Sequence, residues 1–417
     1  MRLIDSRVIC GALAAACLAH GAESLTWQQV RQKFEAANPT LLAGQLGLQE
    51  SKTLEVTAYL RPNPSVTLGG DQVDFVNSNP LRPLQYFFPY ASFSYLHERD
   101  NKRELRLDSA KKATGIAESQ QQDLERTMLF SLRQAFVQTL EAKAVLDMAR
   151  ENLAYFDREI AISRNQYQAG DIARVDLDRL ELQRVQYESD FESATVNLRS
   201  AKIQILAMLN DRTPIDSFDV AGPFEFSDAV SPLDTYRQAA MDARPDLKAA
   251  AQAISKAETD HQLAVANGST DPTFGIDFGR NPPISGYVGL NVNIPLRIFD
   301  RNQGEKARTE IDIKHAESMR DATQAQVFSD VDSAWVALVS AVNLLKPYKG
   351  EDGYLQRSTR VRDDISYSYQ HGGSSLVDFL DSQRDYRAVQ TAYLNLVGAY
   401  LTAAAQLNLA VGHEIIP

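Results

Sequence analysis

Three motifs occur twice along this chain, in the same order and about 200 residues apart, and that duplication bounds what the chain can fold into. Asn38-Pro39-Thr40-Leu41 returns as Arg244-Pro245-Asp246-Leu247. Asn63-Pro64-Ser65-Val66 returns as Asp271-Pro272-Thr273-Phe274. Tyr167-Gln168-Ala169-Gly170, followed by Val175-Asp176, returns as Tyr369-Gln370-His371-Gly372, followed by Val377-Asp378. Each copy reads helix, two strands, long helix, glycine turn, helix. The first copy is expected over residues 22–209, with a β-hairpin at 62–97 and a long helical hairpin at 102–209. The second is expected over 233–412, with a β-hairpin at 272–296 and a helical hairpin at 302–412. Residues 210–232, rich in Pro, Asp and Phe, read as an irregular join, and 413–417 as a tail.

The helices carry a coiled-coil period. After the first glycine turn, Leu177, Leu180, Arg184, Tyr187, Phe191, Ala194, Leu198, Ala201, Ile205 and Met208 follow at steps of three and four. Phe379, Ser382, Tyr386, Val389, Tyr393, Leu396, Tyr400, Ala403, Leu407 and Ala410 do the same after the second. Such a stripe keeps one narrow face against a neighbour and imposes a left-handed supercoil. Its many Ala, Ser and Tyr suit a wall of helices better than a two-stranded zipper. Lys102 to Ala169 contains no proline, which at 1.5 Å per residue allows roughly 100 Å of helix. In the second copy, Lys346-Pro347 and Gly350-Glu351-Asp352-Gly353 are expected to kink or break the equivalent helix.

Four segments alternate with period two, as strands do. In Ser65–Gly70, Val66 and Leu68 oppose Ser65 and Thr67; in Tyr86–Leu96, Ala91, Phe93 and Tyr95 oppose Ser92 and Ser94. In Thr273–Gly279, Phe274, Ile276 and Phe278 oppose Thr273, Gly275 and Asp277; in Tyr287–Ile294, Val288, Leu290, Val292 and Ile294 oppose Gly289, Asn291 and Asn293. A soluble sheet on a core gives the same alternation, but Asp277, Asn291 and Asn293 suit a wet lumen. Tyr86, Phe87, Phe88 and Tyr90 cluster as an interfacial aromatic girdle would. Asp71 to Gln85 and Arg280 to Ser285 read as loops. Four strands cannot close a barrel, and open edges cannot sit in lipid, so several chains must share one barrel; three copies give twelve strands.

The N-terminus reads as an export signal over residues 1–21: Arg2 and Arg7 precede the apolar Val8 to Leu18, and Ala19-His20-Gly21 offers a cleavage site. Ala14-Ala15-Ala16-Cys17 also resembles a lipoprotein cleavage box, which would lipidate Cys17, although Leu is missing three residues before the Cys. With cleavage after Gly21 both cysteines, Cys10 and Cys17, leave with the signal, and no thiol chemistry remains. The 54 acidic and 43 basic residues give a net charge of −11, which argues against a nucleic-acid partner. No uninterrupted apolar run reaches the roughly 18 residues of a membrane helix, so helical spans are not expected. His20, His97, His261, His315, His371 and His413 are scattered, without a paired ligand spacing, so no metal site is expected. No nucleophile, base and orienter stand in a recognisable arrangement, so no enzyme and no cofactor are expected.

Asn293-Ile294-Pro295-Leu296, followed by Phe299-Asp300-Arg301-Asn302-Gln303-Gly304, resembles the strand-to-helix junction of the TolC family of outer-membrane efflux factors. The Asp-Arg-Asn-Gln-Gly form resembles its CzcC-like branch, associated with heavy-metal cation efflux. His97-Glu98-Arg99-Asp100-Asn101-Lys102-Arg103, with Arg106, is similar to the matching junction of the first copy, and Tyr369 to Asp381 to the second helical tip. The resemblance covers nearly the whole mature chain. It implies a mainly α fold with a small β part, in which three chains build a periplasmic α-barrel and a 12-stranded transmembrane β-barrel, with an equatorial belt from 210–232 and the terminal segments. The implied partners are a periplasmic adaptor, an inner-membrane pump of the RND type, and outer-membrane lipid. Asp378 and Asp381 match acidic rings at the periplasmic aperture, where carboxylates three residues apart share a helix face and favour cations. The alternative is a solvated helix start with acids near the positive dipole end. Asp176 and Tyr369 match positions that hold the aperture closed, while Ser374 departs from the pattern where some members carry a latching Arg. Ala169-Gly170-Asp171 and His371-Gly372-Gly373 form the turns where the adaptor is expected to dock. Other readings keep the duct but change the cargo to drugs, small molecules or a secreted polypeptide, or make the chain a periplasmic coiled-coil scaffold without a pore.

Overall fold

The computed structural model describes residues 24–71, 87–281, 284–350 and 352–416. The expected signal peptide 1–21, Cys17, Tyr86 and nearly all of the 71–85 loop therefore lie outside the described residues. The first half runs α1 (Trp27–Ala37), α2 (Pro39–Tyr59), β1 (Ser65–Asp71), β2 (Phe88–Leu96), α3 (Lys102–Ala169) and α4 (Arg174–Met208). The second half runs α5 (Leu233–Ala243), α6 (Pro245–Asn267), β3 (Thr273–Asn281), β4 (Ile284–Asn293), α7 (Gln303–Leu345), α8 (Tyr354–Gln370) and α9 (Leu376–Val411). The chain is mostly helical with one four-stranded antiparallel sheet, as expected. Its residues fall into two compact units.

One unit combines the residues up to Ala37 with Ala135–Glu225 and Leu355–Gly398, and is helical. Leu180, Tyr187, Ala194, Ala201 and Ile205 of α4 are buried, as the heptad pattern requires. Phe156 and Ile160 of α3 meet Leu180 and Tyr187 of α4 and Leu376 and Phe379 of α9 in one cluster. The Phe156 ring lies 4.4 Å from that of Tyr187 and 6.4 Å from that of Phe379. Arg184, the one cation in the α4 stripe, turns outward and reaches Asp157 of α3 at 2.6 Å. Asp219, in the irregular segment after α4, receives Ser24 Oγ at 2.9 Å and Lys143 Nζ at 2.6 Å and pairs with Lys202 at 3.2 Å. A parallel bridge between Leu25 and Val220 completes this clasp on the N-terminal segment.

The other unit combines Asn38–Gln134, Phe226–Tyr354 and the residues from Ala399 onward, and contains the sheet. Its strand order is β1-β2-β3-β4, all antiparallel. The register aligns one row of Val66, Phe93, Ile276 and Leu290 and another of Leu68, Ala91, Phe278 and Val288. Within it, Leu68 and Leu290 are 78% and 82% exposed, so this apolar face is uncovered in the single chain. The opposite face aligns Ser65, Ser94, Gly275 and Asn291, then Thr67, Ser92, Asp277 and Gly289. Strands β3 and β4 run further than expected, into the residues read as a loop, with a bulge between Gly279 and Asn281.

The register corrects the aromatic girdle. Phe88 and Tyr90 have the parity of Ser92 and Ser94, so they lie on the polar face. There Phe88 stacks on Tyr287 at 5.6 Å, and the rings of Tyr90 and Tyr287 cover Gly69 and Gly279 of the neighbouring strands. Phe87 points to the apolar side, over Gly70. Four adjacent aromatics cannot share one face of a strand, because successive side chains alternate.

The strand-to-helix junctions explain the motifs that mark them. Asn101 and Asn302 both adopt left-handed backbone, φ 54° and 62°, as does Asp100 at 56°; Asn and Asp tolerate this better than other side chains. Asn302 then donates from Nδ2 to the Ala264 carbonyl at 2.8 Å, pinning the start of α7 to α6. In the first copy Arg106 holds Glu98 with a two-pronged pair. Lys102, 3% exposed, reaches Asp271 at 2.6 Å and the Ser269 carbonyl at 3.1 Å, while Asp271 also accepts the Arg99 amide at 2.9 Å.

The helix break arrives as expected: α7 stops at Leu345, Lys346–Tyr348 form a 3-10 turn, and Gly350 takes φ 100°. The expectation about apolar helices needs amending. Both α7 and α9 are long and apolar enough to cross a membrane by length and composition. In α7, however, Val327, Val331, Ala334, Leu338, Ala341 and Leu345 are buried at alternating steps of four and three, the signature of a packed helix.

Removing one partner of the buried Lys102–Asp271 pair leaves an uncompensated charge, which costs roughly 3–5 kcal/mol. Lys102→Ala or Asp271→Asn is expected to lower the thermal unfolding midpoint of the purified protein, whereas Lys52→Ala, from an exposed pair, leaves it nearly unchanged.

Candidate functional site

Both helical turns end their helices in the same way. Gly170 takes φ 86°, and the amides of Gly170 and Asp171 donate to Tyr167 and Gln166 carbonyls at 3.1 and 2.9 Å. Gly372 takes φ 75°, and the amides of Gly372 and Gly373 donate to Tyr369 and Ser368 carbonyls at 3.1 and 2.8 Å. This paired bonding satisfies the last carbonyls of a helix and calls for a residue without a Cβ penalty at the left-handed position. Ala169, Gly170, Asp171, His371, Gly372 and Gly373 are all exposed. Exposed apolar side chains flank both tips: Val175 before Asp176, and Val377 before Asp378.

Asp378 lies in the first turn of α9 and closes a capping box. Its Oδ2 accepts from the Ser375 amide at 3.2 Å and the Ser375 hydroxyl at 2.7 Å, and Ser375 Oγ accepts the Asp378 amide at 3.1 Å. The Ser375 hydroxyl and amide hold the Asp378 carboxyl below its ordinary 3.8. Asp381 is exposed on the same face and pairs with Arg384 at 3.1 Å. Asp176 lies in the first turn of α4. Tyr369 packs its ring on Phe379 at 4.9 Å. Burial pushes its hydroxyl pKa up, and the nearby Asp176 and Glu159 carboxylates add to the shift. The structure thus brings Tyr369 and Asp176 near one another, while Asp378 and Asp381 stand on the exposed side of α9. Ser374, in place of a latching Arg, donates to Ser368 Oγ at 2.7 Å.

Several contacts near the tips join residues far apart in sequence. Glu159, buried on α3, accepts Gln370 Nε2 at 2.9 and 3.1 Å, and Gln166 Nε2 reaches the Gln370 carbonyl at 2.9 Å. Tyr155 donates to Ser366 Oγ at 2.8 Å, and Gln383 reaches the same hydroxyl at 3.1 Å. The Arg362 guanidinium lies 4.9 Å from the Tyr155 ring and 4.0 Å from the Tyr386 ring. Only the helical register of these residues was open to sequence reasoning; their partners were not. A groove of about 420 Å³ lined by Met148, Tyr187, Asp190, Asn197, Arg384 and Arg387 runs between α3, α4 and α9. Among the described residues no three His, Cys, Asp or Glu side chains gather as a metal site.

A Cβ on Gly372 would meet nothing within 4 Å, so substitutions there report backbone strain alone. Gly372→Val is expected to cost roughly 1–2 kcal/mol in thermal unfolding, and Gly372→Asn clearly less, since Asn accepts the left-handed position.

Comparison with known proteins follows this architecture. Residues 236–413 match the family described as outer membrane efflux protein. The chain is 22% identical over 403 residues to the cobalt-zinc-cadmium resistance protein CzcC of Cupriavidus metallidurans, covering 91% of each. It is 21% identical over 379 residues to the pyoverdine export outer membrane protein OpmQ of Pseudomonas aeruginosa, covering 88% of this chain and 76% of that one. Among solved structures CusC superposes with a TM-score of 0.79 at 16% identity, over 93% of this chain and 92% of its own. The duplicated frame, junctions and tips agree with the match of residues 236–413 to the outer membrane efflux protein family and with the fold shared with CusC.

Proposed function

We propose that three copies of this chain close their sheets into one twelve-stranded barrel in the outer membrane and their helices into a periplasmic tunnel. This duct is the outer-membrane component of a tripartite efflux system. The observation that carries the reading is the sheet. It has one uncovered apolar face, one polar face, and outer strands β1 and β4 that each pair on one side only among the described residues. Lipid covers the apolar face, and neighbouring copies satisfy the two edges. Energy is supplied at an inner-membrane pump of the RND type through a periplasmic adaptor, so the duct needs no cofactor and performs no catalysis. The adaptor docks at the two tips, on Ala169, Gly170, Asp171, His371, Gly372 and Gly373. Asp378 and Asp381 line the aperture, and Tyr369 and Asp176 help to hold it closed.

The proposed cargo is heavy-metal cations. The 22% identity to a cobalt-zinc-cadmium resistance protein over 91% of the chain supports it, as does the junction motif. The match to a pyoverdine export protein keeps a small organic cargo as the second reading. Deleting the gene and scoring growth against cobalt, zinc and cadmium, and against siderophores or drugs, separates the two. Sensitivity only to organic compounds would remove the metal reading.

Solubilised in mild detergent, the protein is expected to sediment as three chains per particle with its β content intact. A monodisperse monomer retaining the sheet would refute the shared barrel. A second expectation concerns pH. Because Ser375 depresses the Asp378 pKa, Asp378 stays ionised until the pH falls through a value below 3.8. Reversal potentials recorded from roughly pH 7 down to 3 should therefore keep the Asp378 share of the cation preference to a lower pH than an unassisted carboxylate would. Ser375→Ala should move its loss to higher pH.

A further inference from the structure

The four strands contain three ionic side chains: Asp71, Asp277 and Arg280. Asp71 ends β1, and Arg280 lies one residue from the end of β3 with the parity of the apolar face. Asp277 alone is interior, in the middle of β3 and on the polar face, in the row of Thr67, Ser92 and Gly289. Asn291 Nδ2 donates to its Oδ2 at 2.7 Å, and the Ser92 hydroxyl is a second donor. Three neighbours on that face, Gly275, Gly279 and Gly289, carry no side chain that could overhang it. A Cβ on Gly289 would lie 3.6 Å from Asp277 Oδ2. No ion pair to Asp277 occurs among the described residues. An asparagine could still bond to Ser92 and Asn291 through its amide, and the strand ladder is made by backbone groups, so the charge is not needed for strand pairing. An uncompensated carboxylate at the centre of a membrane strand, aimed away from lipid, acts on what passes.

We infer that Asp277 is a cation-selecting residue inside the β-barrel, distinct from the acids at the helical tips. The inference rests on the shared-barrel reading above. Twelve strands about 4.8 Å apart and tilted by about 40° put the barrel wall roughly 12 Å from the axis, and the carboxylates about 10 Å from it. Three charges at that distance enrich a monovalent cation on the axis roughly fourfold at about 0.01 M salt, and less than about twofold at 0.15 M. The preference is therefore a low-salt property, and it is stronger for divalent ions.

The test uses the whole trimer in planar bilayers under a salt gradient. Asp277→Asn is expected to lower the cation-to-anion permeability ratio by more than about tenfold near 0.01 M salt, with unchanged trimer yield. Asp277→Cys is informative because the natural cysteines, Cys10 and Cys17, both lie in the export segment. A water-soluble anionic methanethiosulfonate should label position 277 and restore cation preference, and a cationic reagent should shift it toward anions. Leu290→Cys, on the apolar face, should resist both reagents in the membrane. If the wild-type trimer conducts and Asp277→Asn keeps its selectivity at low salt, or if Cys at 277 cannot be labelled, the inference is overturned while the barrel stands. If the wild type forms neither trimers nor channels, the shared barrel fails and the inference with it.

Discussion

Every amide and carbonyl placed in lipid must find its partner within protein, and among the described residues β1 and β4 each pair on one side only. The rest of the architecture is compatible with that debt. The strands alternate strictly, so one face can meet hydrocarbon while the other stays polar. Glycines on the polar face receive tyrosine rings from adjacent strands, Tyr90 over Gly69 and Tyr287 over Gly279, which fills gaps without adding charge. The helices leave the sheet through two short turns in which Asn101 and Asn302 take left-handed backbone.

The two copies use one plan with different tolerances. The first sends α3 unbroken from the strand junction to its tip, 68 residues without interruption. The second stops at Leu345, passes through a 3-10 turn and Gly350, and restarts as α8. Their entry helices differ as well. Asn38 caps α2 with its side chain, accepting from Thr40 and Leu41 amides at 2.9 and 3.1 Å. Its counterpart Arg244 cannot cap. It is buried instead, pairing with Asp330 at 2.8 Å and with Asp246.

Much of this was legible because alternation and heptads are one-dimensional signals of three-dimensional faces. Val66, Leu68, Phe274 and Leu290 announced the sheet, and Leu180, Tyr187 and Ala194 the helical seam. The helix break was legible in Pro347 and Gly350 for the same local reason. The aromatic cluster was not legible in this way, because neighbours in sequence do not share a face: Phe87 lies over Gly70 and Phe88 against Tyr287, on opposite sides of the sheet. Ser375-x-x-Asp378 was visible as a capping box, yet its charge drew attention before its hydrogen bonds. Tyr155 with Ser366, or Glu159 with Gln370, lie 211 residues apart. Nothing local marks such pairs, and only the fold brings them together.

The Lys102–Asp271 pair joins the first copy to the second, and duplication offers a mirror-image contact that the chain does not use. By the repeat, the counterparts of Asp271 and Lys102 are Asn63 and Gln303, both neutral. Of the two related contacts, only Lys102 with Asp271 carries an ionic bond. The pair therefore fixes an order, first-copy helix start against second-copy strand start, that the neutral Asn63 and Gln303 cannot imitate.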